Sequence, residues 1–166
     1  GTVLMEAALM EFEKIVGSDI SEKAVEDTTK NLAWLEKHFD LSSPQLSLFT
    51  CAAENLTEQF TETVDLIVAE VFLSDPRHAP ADAHQIRQLE KQLLPQYEKS
   101  FAGLKAVLNP NGKAVVAFPA FKTKSGAWHR LPIQDMLEQL GYKILSEHLY
   151  FRSDQFVARN IFMCLG

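Results

Sequence analysis

No apolar run in the chain reaches the ~18 residues that a membrane-spanning helix needs. The first residues do not read as a signal peptide, because Glu6 and Glu11 interrupt the apolar positions and no basic region precedes them. Cysteine is scarce: Cys51 and Cys164 both sit in apolar, strand-like runs and are expected as reduced core residues rather than a disulfide. The five histidines are scattered, with no HExxH or similar metal-ligand spacing. Internal repeats, low-complexity tracts and linkers are also missing. A cytoplasmic domain with no metal and no membrane contact is the expectation.

Basic clusters are lacking too. The net charge is −6, and the nearest approach to a basic patch is Lys122, Lys124, His129 and Arg130. Phosphate contacts dominate the affinity of nucleic-acid-binding domains, so this chain does not read as one that grips RNA or DNA unaided. What remains is the balance of an ordinary globular domain, long enough at 166 residues for one real core and too short for two of usual size.

The most informative stretch runs from Ile15 to Val25. Ile15, Val16 and Gly17 read as a short buried strand over 15–18, Asp19 as an acidic residue at its end, and Ser21 as the N-cap of a helix to about residue 37. Glu22 falls in the first turn, where a negative charge suits the helix dipole. In an open α/β sheet, ligands lie at the carboxyl ends of strands, and a carboxylate there commonly holds a ribose diol. Asp19 is therefore a candidate ligand residue; the plainer reading is a strand end that helps cap the next helix.

A helix over 1–12 is expected from Val3, Leu4, Ala7, Ala8 and Phe12, which recur at helical spacing. A turn over 40–44 leads to a strand over 46–51, then a loop over 52–56 and polar connecting sequence over 57–63. The unbroken run Leu66-Ile67-Val68 predicts a strand over 64–70 covered on both faces, as in parallel sheets. A long helix over 83–107 follows, in which Pro95 predicts a kink or split. A turn over 109–112, a strand over 113–118, a loop over 121–126, a helix over 131–140 stopped by Gly141, and an antiparallel edge hairpin (142–151 and 155–165) complete the chain. Trp34 and Trp128 are expected in the core or at its rim. The order of elements indicates a single α/β domain over 1–166.

In these segments the chain resembles the Rossmann-like, seven-stranded S-adenosylmethionine-dependent methyltransferases, and more narrowly the RNA methylase group containing the tRNA guanine-N2 methyltransferases with a THUMP domain. Gly1-Thr2-Val3-Leu4-Met5-Glu6-Ala7-Ala8 resembles the tail of that family's glycine-rich first motif. Val16-Gly17-Ser18-Asp19-Ile20 resembles the second, Ala52-Ala53-Glu54-Asn55-Leu56 the third, and Glu70-Val71-Phe72-Leu73 stands where Asp/Asn-Pro-Pro-Tyr forms the fourth.

The resemblance implies S-adenosyl-L-methionine as cofactor, bound by Gly1, Thr2, Asp19, Ile20, Ala53 and Glu54, with Asp19 on the ribose and Ile20 against the adenine. It implies Glu70 and Phe72 as the catalytic pair, Glu70 accepting hydrogen bonds from a target NH2 and Phe72 offering a stacking face. Guanine N2 in tRNA is the implied target, with the RNA held by a domain outside this chain. Three departures stand out. The family's first strand and the start of its glycine-rich loop are absent, so the chain is expected to be N-terminally truncated inside the first motif. The third motif has Ala52 in place of aspartate, and the fourth has lost both prolines. A methyltransferase for DNA, protein or a small molecule, or a non-catalytic scaffold, are the alternative readings.

Overall fold

The computed structural model describes residues 1–40 and 44–166. In chain order they form α1 (Thr2–Leu9), β1 (Lys14–Asp19), α2 (Glu22–His38), β2 (Gln45–Thr50), a 3-10 turn (Ala53–Asn55), α3 (Leu56–Gln59), β3 (Val64–Glu70), α4 (Ala83–Val107), β4 (Leu108–Lys122), β5 (Trp128–Arg130), α5 (Ile133–Gln139), β6 (Lys143–Tyr150) and β7 (Val157–Leu165). The chain divides into two compact units, Gly1–Gln59 and Phe60–Gly166. Most of the turn expected over 40–44 lies outside the described residues.

In the first unit, β1 and β2 pair in parallel from Lys14↔Gln45 to Asp19↔Thr50. α2 connects them, and Ser21 caps it as expected, its Oγ accepting from the Ala24 N–H at 3.3 Å. Ala8 of α1, Ile15 of β1 and Leu35 of α2 form the buried cluster, with Leu4, Met5 and Ala7 packed against it. α1 is shorter than the sequence suggests: it ends at Leu9, and Phe12 lies outside it and exposed. The polar stretch expected to be a plain connection begins with α3, because Leu56 is buried and anchors a helical turn there. Trp34 is exposed rather than in the core, its ring stacked on His38 at 4.3 Å.

The second unit is a sheet in the order β3-β4-β7-β6, with β5 paired to the far end of β4. β3 and β4 are parallel, while β7 runs antiparallel to both β4 and β6. The final hairpin is therefore not simply added at the edge, since β7 occupies an interior position. Alternation along β7 suits that place: Ala158, Asn160, Phe162 and Cys164 are all buried. One face of the sheet is covered with aromatic rings. Phe118 of β4 meets Phe101 and Tyr97 of α4 and Phe162 of β7 at centroid distances of 5.1, 5.4 and 5.8 Å.

Four further expectations need correction. The apolar run of β3 is not covered on both faces. Ile67 is buried, but Leu66 and Val68 on the opposite face are 39% and 46% exposed, and β3 pairs only with β4 among the described residues. Of the kink or split expected at Pro95, the split does not occur, since α4 is continuous over 25 residues. Buried Ile86, Leu93, Tyr97, Phe101 and Val107 flank the proline and offset the ~3 kcal/mol that an interior proline costs. The turn at 109–112 is absorbed as an irregular start of β4, with Asn111 at φ 64° and a register shift against β3. The loop expected over 121–126 is shorter, because β4 continues to Lys122 and returns as β5. Gly141 does stop α5, at φ 82°, a left-handed conformation that glycine adopts without strain.

Candidate functional site

In the first unit four of the proposed cofactor residues, Asp19, Ile20, Ala53 and Glu54, lie at or just after the carboxyl ends of β1 and β2. Asp19 closes β1 opposite Thr50, the last residue of β2, so the segments after both strands leave the same carboxyl edge of the parallel pair. The Asp19 carbonyl accepts from the Cys51 N–H at 3.0 Å, which ties that exit together. Its Oδ1 accepts from the Ser21 N–H at 2.8 Å, and Oδ2 has no partner among the described residues. The carboxylate thus serves the turn into α2 with one oxygen and keeps the other free. Ile20, the next residue, is 77% exposed rather than packed in the core. Ala53, half-buried, and Glu54, exposed, sit in the 3-10 turn after β2.

Gly1 is the N-cap of α1, its carbonyl accepting from the Leu4 and Met5 N–H groups, and Thr2 is the first residue of that helix, exposed. A Cβ on Gly1 would lie 2.6 Å from the Thr28 side chain of α2. Glycine is therefore required here by close packing, because Thr28 is itself buried and bonded to the Ala24 carbonyl at 2.7 Å.

Glu70 and Phe72 belong to the second unit. Glu70 ends β3, opposite Ala117. Its carboxylate is engaged at two points by Arg159 of β7, with Nε–Oε2 at 2.5 Å and Nη2–Oε1 at 3.4 Å. Phe72 is 53% exposed, and its carbonyl accepts a hydrogen bond from the Tyr97 hydroxyl of α4. Burial pushes the pKa of that hydroxyl up, so it stays a proton donor to the loop. The loop after β3 is thus tied to α4 by a tyrosine. Ser74, at φ 92°, adds a left-handed residue to the same loop.

Sequence reasoning missed Tyr97 and Arg159 as site-supporting residues. Tyr97 falls among the apolar positions of the helix expected over 83–107, with Ile86, Leu89, Leu93, Leu94, Phe101 and Leu104, and nothing local sets it apart from them. Arg159 belongs to the final alternating strand, and local alternation names no partner 89 residues away.

The small basic patch is largely neutralised. Lys124 pairs with Asp82, His129 with Glu90 and Arg130 with Glu147, while Lys122 sits over the Trp128 and Phe156 rings. A cavity of about 620 Å3 opens between the start of α4 and the β4–β5 hairpin, lined by Ile86, Arg87, Glu90, Trp128 and His129 among others. None of the proposed site residues lines it. Among the described residues no group of three or more His, Cys, Asp or Glu side chains is gathered to hold an ion, and no helix is long and apolar enough to cross a membrane.

No protein-family model and no curated protein matches the chain. Solved structures do. The chain is similar to TrmN from Thermus thermophilus, with 19% identity and a TM-score of 0.63 over 99% of this chain and 40% of that one. It is similar to magnesium protoporphyrin IX methyltransferase (ChlM) from Synechocystis PCC 6803 with bound SAH, with 15% identity and a TM-score of 0.66 over 99% of this chain and 69% of that one. The ribosomal protein L11 methylase from Lactobacillus delbrueckii subsp. bulgaricus matches with 15% identity and a TM-score of 0.59, over 97% and 64% of the two chains. The fold is thus the Rossmann-like α/β fold of the S-adenosylmethionine-dependent methyltransferases. The chain spans 40% of the TrmN structure's length and about two thirds of the other two.

Proposed function

We propose that the protein is an S-adenosylmethionine-dependent methyltransferase acting in the cytoplasm on an exocyclic amine of an RNA base, guanine N2 in tRNA. The observation that carries the cofactor half is Asp19, which holds a free carboxylate oxygen at the carboxyl end of β1 beside the exposed Ile20. A ribose diol donates to such an oxygen, and the adenine lies on such an aliphatic surface. Matching structures crystallised with SAM and SAH have the same fold. Gly1, Thr2, Ala53 and Glu54 complete the cofactor set in this reading, and residues 1–166 belong to one catalytic domain.

The bound cofactor would supply an activated methyl group, so the protein's task is alignment of the amine and handling of its proton. Glu70 accepts from the amine N–H and takes the proton that the methylated nitrogen sheds. Phe72 offers the base a stacking face, worth ~1–3 kcal/mol, from a loop that Tyr97 holds in place. The RNA is gripped by a domain outside residues 1–166. The paired state of Lys124, His129 and Arg130 and the net charge of −6 support that division of labour.

A preceding segment of chain is part of the same proposal. β3 has one edge without a strand partner among the described residues, flanked by exposed Leu66 and Val68. Unpaired backbone groups cost about 1–3 kcal/mol each once buried, and a strand contributed from outside residues 1–166 would satisfy them. A second reading, methyl transfer to another substrate class, has support in the names of the matching structures, which include a porphyrin and a ribosomal-protein methyltransferase.

Calorimetry of S-adenosylmethionine binding to the full-length protein, beside Asp19→Ala, tests the cofactor half. The expected result is binding that weakens roughly ten- to hundredfold in the variant, the worth of one hydrogen bond to a charged group. No binding to the intact protein would overturn the proposal in favour of a non-catalytic scaffold. Transfer of labelled methyl to tRNA, beside DNA and protein substrates, tests the target.

A further inference from the structure

The fourth motif of this chain differs from Asp/Asn-Pro-Pro-Tyr in more than its prolines: its first residue is a glutamate tied to an arginine. Glu70 pairs in register with Ala117 and, through β4, with Ile161; Arg159 lies two residues from Ile161 on the same sheet face. That register lets Nε reach Oε2 and Nη2 reach Oε1, one guanidinium nitrogen to each carboxylate oxygen. A glutamate has one more rotatable bond than aspartate or asparagine, and a two-point contact of this kind fixes its plane. Each oxygen keeps a lone pair, and the two side chains are 46% and 35% exposed, so the pair is open to a ligand.

An ionised carboxylate only accepts hydrogen bonds, whereas an amide both accepts and donates. The nucleobase amines differ in what stands beside them. In guanine the N2 amine is flanked by the N1–H donor. In adenine and cytosine the amine is flanked by a ring nitrogen that is itself an acceptor. Two carboxylate oxygens locked in one plane satisfy the donor–donor edge of guanine. Against adenine or cytosine, one oxygen would face a lone pair, and the unpaired contact disfavours that base.

We infer that Arg159 is a positioning residue that holds Glu70 as a planar, acceptor-only carboxylate, and that the pair selects an amine flanked by a ring N–H over an amine flanked by a ring acceptor. This rests on the amine-methylation reading above and adds the selecting device to it. Arg159 need not touch the base. Removing it frees Glu70 to rotate and loosens the choice.

The test uses the full-length protein, S-adenosylmethionine and a pool of unmodified tRNA, with the product digested and its methylated nucleosides counted by mass spectrometry. The wild type should give methylguanosine over methyladenosine by at least ~100-fold, on the scale of sites that leave a wrong polar partner unpaired. Glu70→Gln, which puts a donor beside the acceptor, should bring that ratio below ~10. Arg159→Ala should lower it in the same direction, and Arg159→Lys should restore it in part. A variant that merely disturbed the fold would lower total product and leave the ratio unchanged. Should Glu70→Gln make too little product to count, the Arg159→Ala ratio decides. An unchanged ratio in the variants, or methyladenosine as the wild-type product, overturns this inference and leaves the methyltransferase reading standing. A wild type that binds S-adenosylmethionine but methylates no nucleoside overturns the amine reading, and the inference falls with it.

Discussion

The two units of the chain are built to different standards. In Gly1–Gln59 a two-stranded parallel sheet is covered by helices whose shared buried cluster is Ala8, Ile15 and Leu35, with no aromatic ring among them. Val3, Leu9, Met10, Phe12, Ile20, Trp34, Phe39 and Leu46 are exposed there. In Phe60–Gly166 a larger sheet is packed with Phe101, Phe118, Phe121, Phe162, Tyr97 and Tyr142, all almost fully buried. Two-stranded sheets are marginal unless other elements cover them, whereas a sheet with an aromatic face is stable in its own right. Asp19 and Ile20 therefore sit on the thinly packed unit, and Glu70 with Arg159 on the dense one. Ligand-binding segments are commonly drawn from the less stable end of a protein, and a ligand held there stabilises it by mass action.

The comparison breaks most directly at Phe118. Phe118→Ala should destabilise the second unit by ~3–5 kcal/mol, read as a lower midpoint in denaturant, because three rings lose their common neighbour. A loss under ~1 kcal/mol would mean that the aromatic face is not the source of the difference. Next in size is the effect of cofactor on the weaker unit. S-adenosylmethionine at a hundred times its wild-type Kd should slow amide hydrogen exchange in β1 and β2 by the equivalent of ~2.7 kcal/mol, and by only about 0.4–1.4 kcal/mol in Asp19→Ala. Equal protection in both proteins would remove Asp19 from the site.

Tyr97→Phe is a smaller change within the dense unit. It leaves the ring in place and removes the hydroxyl that bonds to the Phe72 carbonyl, so stability should fall by ~0.5–1.5 kcal/mol. Turnover should fall with it while S-adenosylmethionine affinity holds; unchanged turnover would show that the Phe72 loop needs no anchor. The gentlest probe is the pair of buried thiols, one in each unit. Burial raises the Cys164 pKa from 9.0 to about 11, so the folded state disfavours its thiolate. The resulting contribution to stability is complete below the unfolded thiol's pKa and is lost as pH rises through about 11. In thiol labelling near pH 8, Cys51 should react first, through local opening of the first unit, and Cys164 only on global unfolding. The reverse order would contradict the ranking of the two units.

Much of the architecture was legible in short stretches of the chain. Ser21, Glu22 and the spacing of Val25, Leu32 and Leu35 marked α2 with its cap, because capping and helical periodicity act within a few residues. Gly141 marked the end of α5 for the same local reason. Asp19 could be picked out because a strand end followed by a capped helix needs no distant partner to be recognised. β5 was not legible, since three residues carry too little alternation to announce a strand. The opening of β4 looked like a turn because Asn109, Pro110, Asn111 and Gly112 favour one locally, and pairing with β3 overrides that preference. The role of Arg159 was hidden in the same way, since an arginine on an alternating strand announces exposure but not its partner.

By itself, then, the sequence determined the α/β class, the Ser21 cap of α2, the Gly141 stop of α5 and the position of Asp19 at a strand end. Each of these depends on residues a few positions apart, whose interactions are set before any long-range contact forms. The tertiary structure alone decided that β7 lies between β4 and β6, that Leu66 and Val68 face outward, and that Glu70 meets Arg159 across 89 residues. Periodicity records which side of an element is buried, while the partner on that side is chosen only when strands from distant parts of the chain compete for the same edge.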